Sequence, residues 1–138
     1  MTEFTLVPHP EAPNGLVGAV AWPATGEPRG AVLIHHEWYG LNETMREFAE
    51  RYAAAGFIGI AIDTYRGRVT ANPDEARVLM SELDTRWAIK VFDAWRAWIA
   101  AHPRCNGKVA ASGFCLGGGM TLAAACGLQG FAAAVPFY

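Results

Sequence analysis

Charge is the first thing this sequence has little of. Asp, Glu, Lys and Arg make up 17% of 138 residues, and 11 basic against 13 acidic residues leave a net charge of −2. That balance gives no basic footprint for nucleic acid or an anionic membrane surface. Long hydrophobic runs are missing as well. The apolar stretches are broken by Gly or Pro well short of the ~20 residues a membrane span needs. The N-terminal MTEFTLVPHPEAPNG has neither the basic segment nor the apolar core of a secretory signal. These absences lead us to expect a soluble, intracellular domain, cytoplasmic in location.

Cysteine and histidine are also scarce. Three cysteines (105, 115, 126) contain no C-x-x-C, and an odd count without a secretory signal argues against a disulfide framework. The four histidines (9, 35, 36, 102) do not supply zinc-ligand spacing, so no metal is expected. What is abundant is apolar residues, 52% of the chain, too many for intrinsic disorder. The length fits one domain at most.

The order of patterns is that of an α/β protein. LVGAVAW (16–22) reads as an edge or hairpin strand ending at Pro23. AVLIHH (31–36) and FIGIAI (57–62) are nearly continuous apolar runs, as in strands buried on both faces. Between them Asn42 or Thr44 can cap a helix running to about Ala55, with Met45, Phe48, Ala49, Tyr52 and Ala53 along one face. From about Asp74 to Ala101 the pattern is helical, in one or two pieces, with Trp87, Val91, Trp95 and Trp98 on a common face. KVAASGF (108–114) reads as a further strand, residues 116–126 as a small-residue helix, and FAAAVPFY (131–138) as a last strand. Strands alternating with helices predict a mostly parallel sheet with helices on both faces.

Gly113-Phe114-Cys115-Leu116-Gly117 stands where strand gives way to helix, and has the form G-x-C-x-G of a nucleophile elbow with cysteine as the nucleophile. Such a turn holds its nucleophile in a strained conformation, and side chains two residues to either side would collide, so Gly113 and Gly117 fit it. It aims the Leu116 N–H at a developing oxyanion, and the helix N-terminus favours thiolate. The same residues also fit a small buried thiol. A P-loop is excluded because no lysine follows the glycines, and a dinucleotide fingerprint lacks its third glycine and later acid.

His35-His36-Glu37-Trp38-Tyr39-Gly40 closes an apolar strand at the end where open α/β sheets bind ligands. The Trp38 N–H is placed to be a second oxyanion donor, and Glu37 can hold the thiol proton or receive it. Alone, Glu37 is equally a solvated strand-end carboxylate. His35 and His36 read as hydrogen-bonded strand-end residues, and H-E-x-x-H fails at Gly40.

HEWYGLN, AGFIGIAIDTYRGR and NGKVAASGFCLGGGMTLAAA, in this order and spacing, resemble the dienelactone hydrolases, a cysteine-using branch of the α/β-hydrolases. The resemblance runs from about Gly15 to Tyr138. It implies an α/β-hydrolase fold and hydrolysis of an ester or lactone through an acyl-thioester on Cys115. It further implies that Glu37 contacts the thiol, that the Trp38 and Leu116 amides form the oxyanion hole, and that no cofactor is used. The family's substrate-holding arginines are harder to place: Arg66, Arg68 and Arg77 lie in the region, and Arg77 either grips a carboxylate or is a solvated helix residue. Tyr39 is a further weak candidate for substrate contact.

One part of the pattern is missing. An elbow enzyme takes its acid and then its histidine from later in the chain, yet the 23 residues after Cys115 hold no His, Asp, Glu, Lys or Arg. The expectation is a single α/β-hydrolase domain (1–138) lacking its C-terminal strands, with triad Asp and His beyond residue 138. A C-terminal fragment or self-association would then cover an open sheet edge. The alternative is an inactive scaffold serving as a binding module.

Overall fold

A computed structural model describes residues 3–8, 17–24 and 26–138. Its elements are β1 (Glu3–Pro8), β2 (Val17–Trp22), β3 (Arg29–His35), α1 (Glu43–Ala54), β4 (Ile58–Ile62), α2 (Pro73–Ser81), α3 (Thr85–Ala100), β5 (Cys105–Phe114), α4 (Leu116–Gly127) and β6 (Ala133–Phe137). The six strands form one sheet in the order β1-β2-β4-β3-β5-β6. β4, β3, β5 and β6 run parallel, while β1 and β2 are antiparallel to their neighbours.

Period-two alternation sorts the strand side chains onto two faces. Val20, Leu33, Ile58, Ile60 and Ala111 meet Val91, Phe92, Trp95 and Ile99 of α3 on one face, with Ala124 of α4 beside them. Ala19, Ala21, Val32, Ile34 and Ala61 meet Met45, Ala49 and Ala53 of α1 on the other. Gly59 lets α1 lie close on β4, because a Cβ there would collide with the Ala49 backbone. Helices on both faces of a mostly parallel sheet match the sequence expectation. Trp87 and Trp98 are partly buried and pack on the α3 face beside Val91 and Trp95.

Some details refine the sequence reading and others depart from it. β1 was not foreseen, since EFTLVP is short and holds a proline; paired antiparallel with it, β2 is an interior strand, which fits the hairpin form of the sequence reading and not the edge form. Leu16 lies outside the described residues. The long helical stretch is two helices, because Asp84 caps a second one, its carboxylate accepting from the N–H groups of Arg86 (3.0 Å) and Trp87 (3.2 Å). β5 begins at Cys105, three residues early, with the Cys105–Arg29 pair separated from the main ladder by a register shift. For α1 the cap is Asn42, whose Oδ1 accepts from Met45 N–H at 3.2 Å. Asn42→Ala is expected to cost about 1 kcal/mol, read from the shift of the urea-unfolding midpoint. Among the described residues no helix is long and apolar enough to cross a membrane.

Candidate active site

The site lies at the C-terminal ends of the parallel strands. β3 and β5 are neighbours with His35 in register with Gly113. Glu37 and Cys115, each two residues further on, therefore leave adjacent strands at the same level. β5 ends at Phe114, α4 begins at Leu116, and Cys115 is the single residue between them. It takes φ 58 and ψ −114, a conformation that costs a non-glycine residue about 1–3 kcal/mol. Its side chain is exposed, whereas Cys105 is buried.

Both elbow glycines are required by contact. A Cβ on Gly113 would collide with the Gly117 carbonyl, and one on Gly117 with the carbonyls of His35 and His36. Gly118 is held as closely against the ends of Phe137 and Tyr138. Gly117→Ala is expected to destabilise the fold by about 1–3 kcal/mol, since the obstruction is backbone and cannot swing aside. An unfolding midpoint equal to wild type would contradict this.

Leu116 is the first residue of α4, so its N–H is one of the four that a helix leaves without an intrahelical acceptor. Trp38 is the second residue of a turn closed by Gly40 N–H donating to Glu37 O at 3.3 Å. That geometry does not use the Trp38 N–H. Tyr39 packs edge-on against Trp38, with ring centroids 5.5 Å apart. Glu37 and Tyr39 border a cleft of about 450 Å³ whose far wall is Val69, Thr70 and Ala71. Among the described residues no basic side chain lines it.

The three arginines are each engaged by a partner of their own. Arg77 in α2 pairs with Asp74 at 3.0 Å with its side chain largely in solvent, and the structure does not bring it to Cys115. Arg68 pairs with Glu82 at 3.0 Å, and the Arg66 guanidinium lies 4.3 Å over the Trp87 ring.

Two tyrosines not singled out from the sequence join the site. Cys115 N–H donates to Phe137 O at 3.0 Å, continuing the β5–β6 ladder, and the Tyr138 hydroxyl reaches Glu37 Oε1 at 3.5 Å. The Glu37 carboxylate, with a smaller part from Cys115, raises the Tyr138 pKa. Parallel pairing was the available signal, because the residue after β6 must emerge beside the one after β5. Tyr65 follows β4, and burial, then the charge of Cys115, pushes its pKa up to about 12. Its hydroxyl is buried and, among the described residues, has no hydrogen-bond partner. Tyr65→Phe is therefore expected to leave stability unchanged or raise it by about 1 kcal/mol. A clear fall in the thermal midpoint would contradict that.

Beneath the site lies a buried polar layer. His35 and His36 are fully buried and Thr64 nearly so. Their bonds run from His35 Nε2 to Thr64 Oγ1 (2.9 Å), His36 Nε2 to Thr64 N (3.2 Å), His35 Nδ1 to His36 O (2.8 Å) and His36 Nδ1 to Glu37 O (2.6 Å). Asp63 accepts from the N–H groups of Tyr65 (2.8 Å) and Gly67 (2.6 Å), which shapes the loop after β4. His102 is at the opposite end of the sheet, its ring 4.8 Å from that of Trp22. His9 lies outside the described residues. No group of three His, Cys, Asp or Glu among the described residues is placed to hold a metal ion.

A profile of the dienelactone hydrolase family matches residues 16–138. The chain is 34% identical over 120 residues to a carboxymethylenebutenolidase of Pseudomonas sp. (strain P51), covering 80% of this chain and 49% of that protein. It is 33% identical over 129 residues to protein usf of Aquifex pyrophilus, covering 88% of this chain and 55% of the relative. Among solved structures, m3DLH superposes with a TM-score of 0.83 at 26% identity, over 94% of this chain and 56% of that one. A dienelactone hydrolase-like promiscuous phosphotriesterase from metagenomic libraries superposes at 0.79, also at 26% identity, over 90% and 54%. The chain thus spans about half the length of the relatives it matches.

Proposed function

This chain belongs to the dienelactone hydrolase family, and from that premise we propose that it carries the nucleophile half of an ester or lactone hydrolase. In this reading Cys115 Sγ attacks the substrate carbonyl carbon, and the Trp38 and Leu116 amides bind the resulting oxyanion. The ester C–O bond then breaks, the thiol's proton goes to the departing oxygen, and an acyl-thioester remains. Water hydrolyses it to the acid and regenerates the thiol. In the resting site the Glu37 carboxylate accepts a hydrogen bond from the Cys115 thiol. The observation that carries the reading is Cys115 itself: exposed, strained at φ 58, and at the level of Glu37 on the next strand.

Deacylation needs a base, and among the described residues no histidine is suited to it. His35 and His36 are buried and engaged, and His102 is at the wrong end of the sheet. We assign the triad Asp and His to polypeptide outside these residues. The test on residues 1–138 is therefore acylation without turnover. A p-nitrophenyl ester should release about one equivalent of nitrophenolate in a burst, leaving an acyl group on Cys115 that mass spectrometry locates. No burst, or an adduct elsewhere, rejects the assignment.

A second reading, a binding module, draws on one further observation. All of β6 is exposed, Val135 and Phe137 included, and its described pairing is to β5 alone. An edge of that kind recruits other strands. In either reading residues 1–138 alone are expected to self-associate. A sharply monomeric species by light scattering would contradict this.

A further inference from the structure

The hydrogen bonds around the two histidines of the HHE segment determine which nitrogen of each neutral ring carries hydrogen. A carbonyl oxygen only accepts, so His35 Nδ1, 2.8 Å from His36 O, and His36 Nδ1, 2.6 Å from Glu37 O, both carry hydrogen. A neutral imidazole has one N–H, which leaves both Nε2 atoms as acceptors. Thr64 supplies the matching donors: its backbone N–H serves His36 Nε2 at 3.2 Å, and its hydroxyl, 2.9 Å from His35 Nε2 and 3.1 Å from His36 Nε2, gives its one hydrogen to the nearer His35 Nε2. Burial keeps both rings neutral, lowering His36 to about 4 and His35 in the same direction. Around them stand Asp63, 3.8 Å from His36 Nε2, and the rings of Tyr65 and Phe92.

The two carbonyls held this way belong to the residues where the chain leaves the sheet, beyond the last β3–β4 pair at His35 and Ile62. No neighbouring strand fixes them. The His36 carbonyl also faces Gly117 of the elbow, together with that of His35. We propose that His35, His36 and Thr64 are positioning residues, a clamp that replaces the strand ladder and sets the Glu37–Trp38 turn against the Cys115 elbow. This deepens the hydrolase reading and rests on it for what the clamp serves.

The three cysteines make the test internal to one molecule. Cys126 is exposed and reports ordinary thiol reactivity, Cys105 is buried and reports unfolding, and Cys115 reports the site. Iodoacetamide rates at each are read by mass spectrometry. Glu37→Gln removes a carboxylate from the strand end level with Cys115 and should speed Cys115 relative to Cys126 by about threefold at neutral pH. Thr64→Val frees the turn and should move the ratio the same way, while Thr64→Ser keeps the wild-type ratio. In a Glu37→Gln background Thr64→Val should add nothing, a non-additivity that mere loss of stability would not produce. Nitrogen-15 spectra of the wild type should show both rings protonated at Nδ1 and bare at Nε2.

An Nε2–H tautomer in either ring overturns the clamp, as does an unchanged ratio in Thr64→Val with Cys105 still unreactive. If Thr64→Val exposes Cys105, the fold has failed and the tautomers decide. A wild-type Cys115 that takes no acyl group instead overturns the hydrolase reading, and leaves the tautomer result standing.

Discussion

Replacing Cys115 by alanine is expected to abolish the nitrophenolate burst completely, the largest effect of any single substitution in this chain. The reason is chemical rather than structural. Cys115 is exposed, so alanine removes the sulfur without opening a cavity in the core. Cys115→Ser keeps the shape but not the reactivity. A thiol is a few per cent ionised at pH 7, whereas a serine hydroxyl needs a base to be activated. The described residues place no histidine to do that, so the serine variant should acylate at least about 100-fold more slowly than wild type. Cys126 is the control, being exposed on α4 but away from the elbow. Cys126→Ser should leave the burst intact. A burst retained in Cys115→Ala would sink the proposal, and stopped-flow absorbance reads both results directly.

Much of this site was legible before any coordinates, because its residues obey local rules. Gly113 and Gly117 are glycine for a steric reason that two positions of sequence can state, and the contacts with Gly117 and His35–His36 carbonyls supply the partners. The parallel strands were legible because strands buried on both faces lose the polar alternation of a half-exposed sheet. β1 was less so, being short and proline-containing, with its register set by β2 rather than by its own pattern.

What could not be read depends on strand order. Sequence offers no measure of which strands are neighbours, so Tyr138 beside Glu37 and Thr64 beneath His35 and His36 were invisible as a cluster. Once the order β4-β3-β5-β6 is known, the residues that follow each strand fall into one row: Asp63 to Tyr65, His36 to Trp38, Cys115, and Tyr138. Arg77 shows the opposite limit. Its residue type suited a carboxylate, but its place on the exposed side of α2 gives it Asp74 instead. A pattern names the chemistry a residue can do, whereas topology decides what it meets.

The second large effect follows from the buried imidazoles, and its sign comes from linkage. In the unfolded chain His36 takes up a proton near its ordinary value of 6.5, while in the folded chain burial delays that to about 4. Between those values the unfolded state binds more protons, so stability rises with pH there and falls as the solution is acidified. The stability is fully present above pH 6.5 and is lost progressively toward pH 4. For His36 alone the loss is about 3 kcal/mol, from roughly 1.4 kcal/mol per unit. His35 shifts in the same direction and adds to it. Asp63 opposes them: burial raises its pKa, so it protonates earlier in the folded form and recovers part of the loss. Urea-unfolding free energies measured at several pH values from 7 to 4 should therefore decline steeply over that window, a large share of a domain's ordinary stability. His36→Asn removes the His36 contribution, and Asn Nδ2 can still donate to the Glu37 carbonyl, so the variant should show a visibly shallower decline. A wild-type profile flat from pH 6.5 to 4 would mean that these rings are not buried and neutral, and that the layer beneath Glu37 is wet.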